Sequence, residues 1–576
     1  MFSERTDFLS HPTEQTKIVK YADYRYTVHM EERIQKAVAE ALQKMGIGDV
    51  SFVVERPSNK AYGDYAVFIG MKNAEEVAKS IQEKLGNSVS EIAVAGAGFV
   101  NITLSHEAVS FAVAEADAKG EEWGKGTAES GKRVIVEYTD ANPFKEMHIG
   151  HLMSNIIGES LARLIENESA EVIRANYQGD VGPHVAKALW GYSFFGKEFE
   201  NLSGGSPEAK LEEKVDLLGQ MYVYGNLDYA KHKEEIDEIN VEIYAGKMNS
   251  LVKHVYDEGR KWSLAHFEKI YRILGTHFDY YFFESETAEP GLRIVRDGLE
   301  KGIFEESEGA VIYRGEKKGL HTLVFITSAG TPTYEAKDIG LAFLKEERVQ
   351  SDRSLIVTAA EQIGHFKVML AALGEIAPLI AKKTEHVSHG FLRLTTGKMS
   401  SREGNVITAE GFINSITKRT LVKNPDPLIA EQVALGAIKY MILRQAPGSD
   451  IIFDEEKSLS LDGDSGPYLQ YALVRARKIL TYAGGENGTD IPPAPYVIER
   501  LILHFPEVAA RAARETAPNL LVNYLTELAG EWNSFYATEQ VLGSSEEIYK
   551  QRVTRAFANT MTNGLALLGI PATEKM

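Results

Sequence analysis

Two short stretches carry residues whose types and spacing suit phosphate chemistry. In Met147-His148-Ile149-Gly150-His151, a strand–loop segment gives way to an apolar period of helical spacing. The start of a helix presents unpaired backbone N–H groups and the positive end of the helix dipole. Gly150 lets a ligand lie close on the backbone, and two imidazoles three residues apart can donate to phosphate oxygens. A metal pair or two incidental surface histidines are the other readings of the same residues. The second stretch is Lys398-Met399-Ser400-Ser401-Arg402, after a strand expected to end at Leu394. A loop bearing Lys, two hydroxyls and Arg suits the negative charge that builds on a leaving pyrophosphate. Standing alone, it reads more simply as a solvated loop. Both stretches fall at the carboxyl ends of expected strands, where α/β sheets bind ligands.

The elements that must position these residues follow from hydrophobic period and turn residues. A small α/β segment spans about 29 to 105, with a helix over Met30 to Met45, a strand over Val50 to Val54, a helix around Ala74 to Leu85 and two strands within Ile92 to Leu104. The charged, Gly-rich run from Lys119 to Lys132 reads as a linker. From Arg133 strands and helices alternate: strands at Val134–Tyr138, Val172–Tyr177, Ala310–Tyr313, His321–Ile326, Leu355–Thr358 and His386–Leu394. Such alternation implies a parallel, doubly wound sheet. A charged helical stretch, about 207–261, interrupts it as an insertion. Beyond about Asp426 strands are expected to vanish and helices to run to Met576. The expected fold class is therefore α/β plus all-α. A split Rossmann-like domain (131–425) lies between a small N-terminal α/β domain (29–118) and a C-terminal helical bundle (426–576), with residues 1–28 an irregular extension.

Composition sets outer bounds. The 576 residues exceed one ordinary core and suggest roughly three or four domains. There is no cysteine, so a disulfide, a Cys-ligated zinc, an iron–sulfur cluster and a thiol nucleophile are all excluded. The start, MFSERTDFLSHPTEQTK, lacks the apolar region of a signal peptide, and no run reaches the ~18 apolar residues of a membrane span. A cytoplasmic location with no membrane partner is expected. Asp and Glu outnumber Lys and Arg by 82 to 63, a formal net charge of −19. That balance leans against a nucleic-acid binder, although phosphates respond to local patches and not to the average.

Together the two stretches resemble the HIGH and KMSKS elements of class I aminoacyl-tRNA synthetases, the second written here as KMSSR. Longer segments resemble one family within the class, the arginyl-tRNA synthetases: VEYTDANPFKEMHIGHLMSNIIGESLARLIE, NYQGDVGPHV, GTPTYEAKDIG, EQIGHF, LDGDSGPYLQYALVRARKIL, WNSFY and the ending LALLGIPATEKM. The likeness runs from about Val53 to Met576. It departs at Val181, where the family more often has Trp, and over the first ~28 residues, which match no known segment.

The resemblance implies a reaction in two steps. Arginine is activated with ATP to arginyl-adenylate, and the arginyl group passes to the 2′-OH of the terminal adenosine of tRNA(Arg). It also implies that activation requires the tRNA. His148, His151 and Lys398 would be catalytic; His148, Gly150, His151, Lys398, Met399, Ser400 and Ser401 would hold ATP. Mg²⁺ would enter with ATP as a substrate complex, with no tightly bound cofactor and no protein metal site. The family's arginine pocket maps onto Glu137, Asn142, His148, Tyr334, Asp338 and Gln362. Tyr334 and Asp338, four apart at a helix start, share one face and are assigned to the guanidinium; Asn142 and Gln362 go to the α-amino and carboxylate groups, and Glu137 to either end. A planar guanidinium suits carboxylates in fork geometry. Leaving a buried carboxylate unpaired costs about 3–5 kcal/mol, on the order of 10²–10³-fold against citrulline. Asn176, Gly179 and Asp180 read as a turn, either structural or beside ATP.

The C-terminal third carries 13 acidic and 10 basic residues from Leu461 onward, so it has no bulk basic field. By resemblance it binds the anticodon, and readers of single-stranded loops use aromatic stacking and a few Arg contacts. Tyr468, Tyr471, Arg475, Arg477, Trp532, Tyr536 and the terminal Met576 are the available residues, with bundle core as the alternative for the aromatics. Arg56, Lys60 and Tyr62 are the candidates for a tRNA contact in the N-terminal unit. A monomer with no obligate protein partner is expected. The competing readings are a class I synthetase for another cationic amino acid and a non-catalytic tRNA-binding paralogue, which usually loses one of the two signature elements.

Overall fold

The computed structural model describes residues 30–47, 50–204, 211–394, 407–482 and 488–576. The extension expected over residues 1–28 and the residues Lys398, Met399, Ser400 and Ser401 lie outside them. The described residues divide into two compact units, one of those up to 118 with 490–507 and a second of those from 119 to 489 with 508–576.

In the first unit, β1 (Val54–Glu55), β2 (Tyr65–Phe68), β3 (Val89–Ala95) and β4 (Phe99–Leu104) form an antiparallel sheet in the order β1-β2-β4-β3. The helices Met30–Lys44 and Met71–Leu85 bury Ile34, Val38, Val77 and Ile81 in the same core as Val67, Val100 and Ile102. The segment 490–507, expected within the C-terminal bundle, belongs here. Arg500 of the helix Val497–Leu503 pairs with buried Asp64 at 2.5 Å, and the Tyr65 hydroxyl donates to Glu507 at 2.8 Å.

The second unit opens with three strands, β5 (Arg133–Glu137), β6 (Glu171–Gln178) and β7 (Tyr280–Phe283). The interior of β5, Val134 to Val136, is buried, as a strand covered on both faces requires. The strands expected near 310 and 321 do not join them. β8 (Glu305–Ser307), β9 (Ala310–Tyr313) and β10 (Leu323–Ile326) make a separate antiparallel sheet, because the connections between them are too short for a parallel crossover. After it come β11 (Arg353–Ala359) and β12 (Thr384–His389), which complete a five-stranded, all-parallel sheet in the order β12-β11-β5-β6-β7. Its edge strand β7 escapes the alternation of the sequence, since Tyr-Tyr-Phe-Phe follows directly on the insertion and is four residues long. The strand expected over His386–Leu394 is broken at Gly390, and its second half, β13 (Leu392–Leu394), pairs in parallel with β14 (Ile451–Phe453). Strands therefore do not vanish beyond Asp426.

The insertion comprises three helices, Leu211–Asp228, Lys233–Ala245 and Ser250–Leu274, which pack with the helix Pro183–Ser203 around Val185, Trp190, Leu218, Met221 and Trp262. Val181 is buried in that apolar cluster, which accounts for its side-chain type. The run 119–132 is not a free linker. Trp123 is buried and its Nε1–H donates to Thr560 at 3.1 Å, while Asn563 Nδ2 donates to the carbonyls of Gly120 and Trp123, both at 2.9 Å.

The helix Ile149–Asn167 is the spine of this unit. Near its carboxyl end Arg163 donates to the carbonyls of Gly275 and Ala566 at 2.8 and 2.9 Å. Buried Lys439 in the helix Pro427–Leu443 donates to Leu274 and Gly569 at 2.7 and 2.5 Å. Arg163 and Lys439 thus donate to the carbonyl ends of Ser250–Leu274 and Glu547–Leu567, where the helix dipoles favour positive charge. Burial holds the Lys439 amine down to about 7. On the sheet side Gly158 lies against Tyr138, so that a Cβ at 158 would come within 2.3 Å of it. Tyr138 is fully buried and its hydroxyl donates to Glu159 at 2.5 Å. Gly158→Ala should therefore destabilise the protein by about 1–3 kcal/mol despite alanine's better helix propensity. The check is the urea midpoint, and an unchanged midpoint would mean that the helix does not bear on Tyr138.

Candidate active site

The carboxyl ends of β5, β6, β11 and β12 open into a cleft of about 890 Å³. It lies where the strand order turns back between β5 and β11, the usual ligand position in such sheets. Two chemically distinct walls face it.

One wall is the start of the helix Ile149–Asn167. His148 is its N-cap, in extended conformation, and its Nδ1 accepts the Gly150 N–H at 3.1 Å. His151 Nδ1 accepts the His148 N–H at 3.3 Å, closing a reciprocal cap in which imidazoles replace the usual hydroxyl and carboxylate. The rings stack with centroids 3.7 Å apart. With both Nδ1 atoms accepting, each neutral ring carries its proton on Nε2. Desolvation in the cleft and the nearby Lys145 charge lower the His148 imidazole; burial, His148 and Lys145 push His151 well below the usual range. The pair is a set of neutral N–H donors at a helix N-terminus, suited to an anion. The segment 407–409 lies against it: Ile149 N–H donates to Ile407 at 3.2 Å and Ala409 N–H to Met147 at 2.7 Å. Arg393 and Ile407, on either side of the KMSSR stretch, both line the cleft.

The other wall is anionic. Glu137, at the end of β5, is buried and ion-paired with Lys345, and burial raises its carboxyl. Glu284 is buried in an ion pair with Lys337 at 2.5 Å, and burial again raises it. Asp338 accepts from His365 Nε2 at 2.6 Å, while His365 Nδ1 meets Glu335 at 3.3 Å. Burial alone would lower His365, but its bonds to Asp338 and Glu335 raise it to about 10, so the ring is an imidazolium donating from both nitrogens. Asp140 accepts the Tyr177 N–H at 3.0 Å and has no cation partner among the described residues; burial and neighbouring Glu137 raise it well above the usual carboxylate range.

The loop between the walls is held in unusual backbone. Thr139, Asp140 and Phe144 all have positive φ, 82°, 52° and 66°, which costs of order 1–3 kcal/mol each and persists only where surroundings dictate it. They do so here. Asn155 donates to Thr139 at 3.0 Å, and Phe144 is wedged into the insertion core with its N–H on Ser263 at 3.0 Å. The Asn142 carboxamide oxygen occupies the space in which a Cβ at 179 would fall, 2.2 Å away, which is why Gly179 stands there.

Of the residues named from the sequence, the structure brings Glu137, Asn142, His148, Gly150, His151, Tyr334, Asp338 and Gln362 to this one cleft. Tyr334 is exposed at the start of the helix Tyr334–Arg348, with the Lys337 ammonium 4.4 Å from its ring centroid. Gly179 lines the cleft, whereas Asn176 and Asp180 face the insertion, bonded to Tyr271 and to Ser285, Tyr256 and Arg260. Lys398, Met399, Ser400 and Ser401 fall outside the described residues. Glu284, Asp140, Tyr177 and His365 also line the cleft and are not evident as pocket residues in the sequence. The EQIGHF segment contains His365, so a signal for it is present; Glu284 follows β7, the strand that periodicity does not reveal.

In the helical region Trp532 is fully buried and stacks on Phe557 at 4.5 Å, so it has no free face for a base. Arg477 is spent on the carbonyls of Ala572 and Thr573 and on Thr562. The Arg475 guanidinium lies 3.8 Å from the Tyr536 ring centroid and 5.4 Å from that of Tyr471, and Tyr536 is exposed. Tyr468 lies in the first turn of the helix Gly466–Thr481, and Met576 is partly exposed. In the N-terminal unit Tyr62 and Lys60 are exposed and Arg56 partly so.

Comparison with known proteins matches these parts one by one. Residues 113–455 match the family model described as tRNA synthetases class I (R), catalytic domain. Residues 469–576 match the DALR anticodon binding domain, and 32–104 the arginyl tRNA synthetase N terminal domain. An arginine–tRNA ligase of Borrelia turicatae is 27% identical over 95% of this chain and 99% of its own length. That of Treponema denticola is 30% identical over 79% of this chain and 81% of its own. The solved Thermus thermophilus arginyl-tRNA synthetase superposes with a TM-score of 0.79 at 26% identity, covering 95% of this chain and all of the other. The likeness of sequence, domain order and fold over nearly the full length places the chain in the class I arginyl-tRNA synthetase family, as an arginine–tRNA ligase.

Proposed function

We propose how the cleft divides the work of arginine activation. Arginine lies on the anionic wall and ATP on the helix start, so that the arginine carboxylate attacks the α-phosphorus. The bond from the α-phosphorus to its bridging oxygen breaks and pyrophosphate leaves. The neutral Nε2–H groups of His148 and His151 donate to phosphate oxygens, and Gly150, lacking a Cβ, lets ATP lie close on the backbone. Lys398, with Met399, Ser400 and Ser401 on the same stretch, meets the leaving pyrophosphate, and Mg²⁺ enters with ATP. Asp338, Tyr334 and Glu284 take the guanidinium; Asn142 and Gln362 take the α-amino and carboxylate groups; Glu137 stands near either end. The 2′-OH of the terminal adenosine of tRNA(Arg) then attacks the carbonyl carbon and AMP leaves. His148 and His151 stabilise rather than shuttle protons, because their Nδ1 atoms are committed to the backbone.

The observation that carries this reading is the pairing, in one cleft, of a neutral donor pair at a helix N-terminus with four carboxylates, Glu137, Asp140, Glu284 and Asp338, that three cations, Lys345, Lys337 and His365, serve among the described residues. An incoming guanidinium completes the charge balance; a neutral isostere leaves it open. For the tRNA we propose that Tyr471, Arg475 and Tyr536 form a stacking ladder for anticodon bases, with Tyr468 and Met576 beside it. Arg56, Lys60 and Tyr62 of the N-terminal unit are assigned to a second tRNA contact. The reading includes a monomer acting in the cytoplasm, and activation that requires the tRNA.

Pyrophosphate exchange into ATP, run with each amino acid with and without total tRNA, tests the whole reading. Exchange is expected with arginine alone and only with tRNA present. Exchange with lysine would overturn the pocket, and exchange without tRNA would remove the tRNA requirement. Asp338→Asn should raise the arginine KM by about 10²-fold, whereas Lys398→Ala should lower kcat and leave arginine binding nearly unchanged. Reversal of that pattern would exchange the two assignments.

A pH dependence also follows. Glu137, Asp140 and Glu284 all have raised carboxyls, and protons compete with the guanidinium for them. Arginine binding therefore strengthens as pH rises and releases protons to solvent. The arginine KM should rise as pH falls, by up to about tenfold per pH unit for each competing proton. Calorimetry in buffers of different ionisation enthalpy checks this directly; no proton release on arginine binding would mean that the carboxylates are ionised beforehand.

A further inference from the structure

A cluster of charged side chains stands behind the ATP wall, outside the cleft. Glu410 lies in the first turn of the helix Ala409–Lys423, which begins where the segment 407–409 ends. His266 Nε2 meets its Oε2 at 2.8 Å, and Lys269 Nζ its Oε1 at 2.9 Å. Both partners lie on the helix Ser250–Leu274, and Lys269 also holds Glu212 of the helix Leu211–Asp228 at 2.5 Å, so one ammonium joins two carboxylates. His266 is buried and Glu410 only partly exposed. The His266 bond, and then Lys269, hold the Glu410 carboxyl down to about 2. An ionised carboxylate in the first turn of a helix also suits the helix dipole.

The neighbours of Glu410 in the chain are the residues bonded to the start of Ile149–Asn167. Ala409 N–H donates to Met147, Ile149 N–H to Ile407, and Thr408 bridges to His148. Thr408 in turn caps its own helix by accepting the Gly411 N–H at 3.0 Å. Among the described residues, the bonds that join the His148 turn to this segment are backbone bonds, and a two-bond bridge is weakly registered by itself. The bond that fixes the segment against the insertion is made one residue further on, by a side chain.

We propose that Glu410 is a positioning residue for activation: clamped by His266 and Lys269, it seats the segment 407–409 and so sets the placement of the His148–Gly150 turn. The proposal rests on the assignment of that turn to ATP. It also gives the helical insertion a task in catalysis, since both clamping residues come from its helix Ser250–Leu274.

The test uses the full-length enzyme with Glu410→Gln and, separately, His266→Gln. Glu410→Gln keeps the shape and removes the charge. It should raise the ATP KM in the exchange assay about tenfold, the size of one lost charge-assisted bond, with the arginine KM within about twofold. Deuterium exchange should become faster at the amides of Ile149 and Ala409. His266→Gln should act in the same direction, and the double variant should fall short of the product of the two. Unchanged exchange at those amides, or equal effects on both substrates, would overturn the proposal. His148→Asn, measured alongside, separates the two readings. If it leaves the ATP KM unchanged, the ATP assignment fails; if it raises the ATP KM and Glu410→Gln does not, Glu410 loses its role.

Discussion

Burying several carboxylates in one cleft is the constraint around which the catalytic unit is arranged. Glu137, Glu284 and Asp338 stand at the ends of three different elements, and each is held by a cation from the helix Tyr334–Arg348 or its neighbour: Lys345, Lys337 and His365. Charges taken out of water persist only with partners and good geometry. The helix bearing two of those lysines must therefore pack between β5 and the helix Glu284–Glu300. A pocket already supplied with cations, yet with Asp140 left without one among the described residues, is poised for a substrate that brings positive charge of its own.

The opposite wall solves the converse problem. On the proposed division of the cleft, a site for ATP phosphates needs donors without fixed positive charge so close that it repels the neighbouring arginine. The reciprocal His148–His151 cap supplies them: both rings are neutral and both Nδ1 atoms are occupied, so the Nε2–H groups are directed by the backbone itself. Histidine thus has two opposite roles within one cleft. His365, bracketed by carboxylates, is a cation, and the pair at the helix start is not. Environment decides, since the free imidazole titrates between these limits.

The helix Ile149–Asn167 connects this chemistry to the remainder of the second unit. Its first turn faces the cleft, its middle lies against Tyr138 of the sheet, and its last turns carry Arg163 and Ser160 to the end of Glu547–Leu567. The final helix of the DALR region is thus bonded directly to the helix that begins with the His148 turn. Lys439 makes the parallel connection from another helix. A displacement of the helical region has a short covalent and hydrogen-bonded route to the His148 turn.

Much of this was legible in the residues alone. The two signature stretches and the alternation of strands and helices could be named because local period and short motifs are written in contiguous sequence, and the cleft residues Glu137, Asn142, Tyr334, Asp338 and Gln362 were named through the family resemblance that those stretches carry. Helix caps such as His148, and Pro or Gly at helix ends, belong to that same local grammar. What only the tertiary structure decided depends on residues far apart in the chain. The pairing of β8–β10 away from the parallel sheet, the burial of Trp123 on a helix more than 400 residues later and the capture of 490–507 by the N-terminal unit leave no periodic signal. The same holds for charge: whether a histidine is a cation or a neutral donor, and whether Trp532 stacks on a base or on Phe557, is set by neighbours that only folding brings together. Sequence determines which groups are available. Burial and long-range pairing determine their protonation, direction and use.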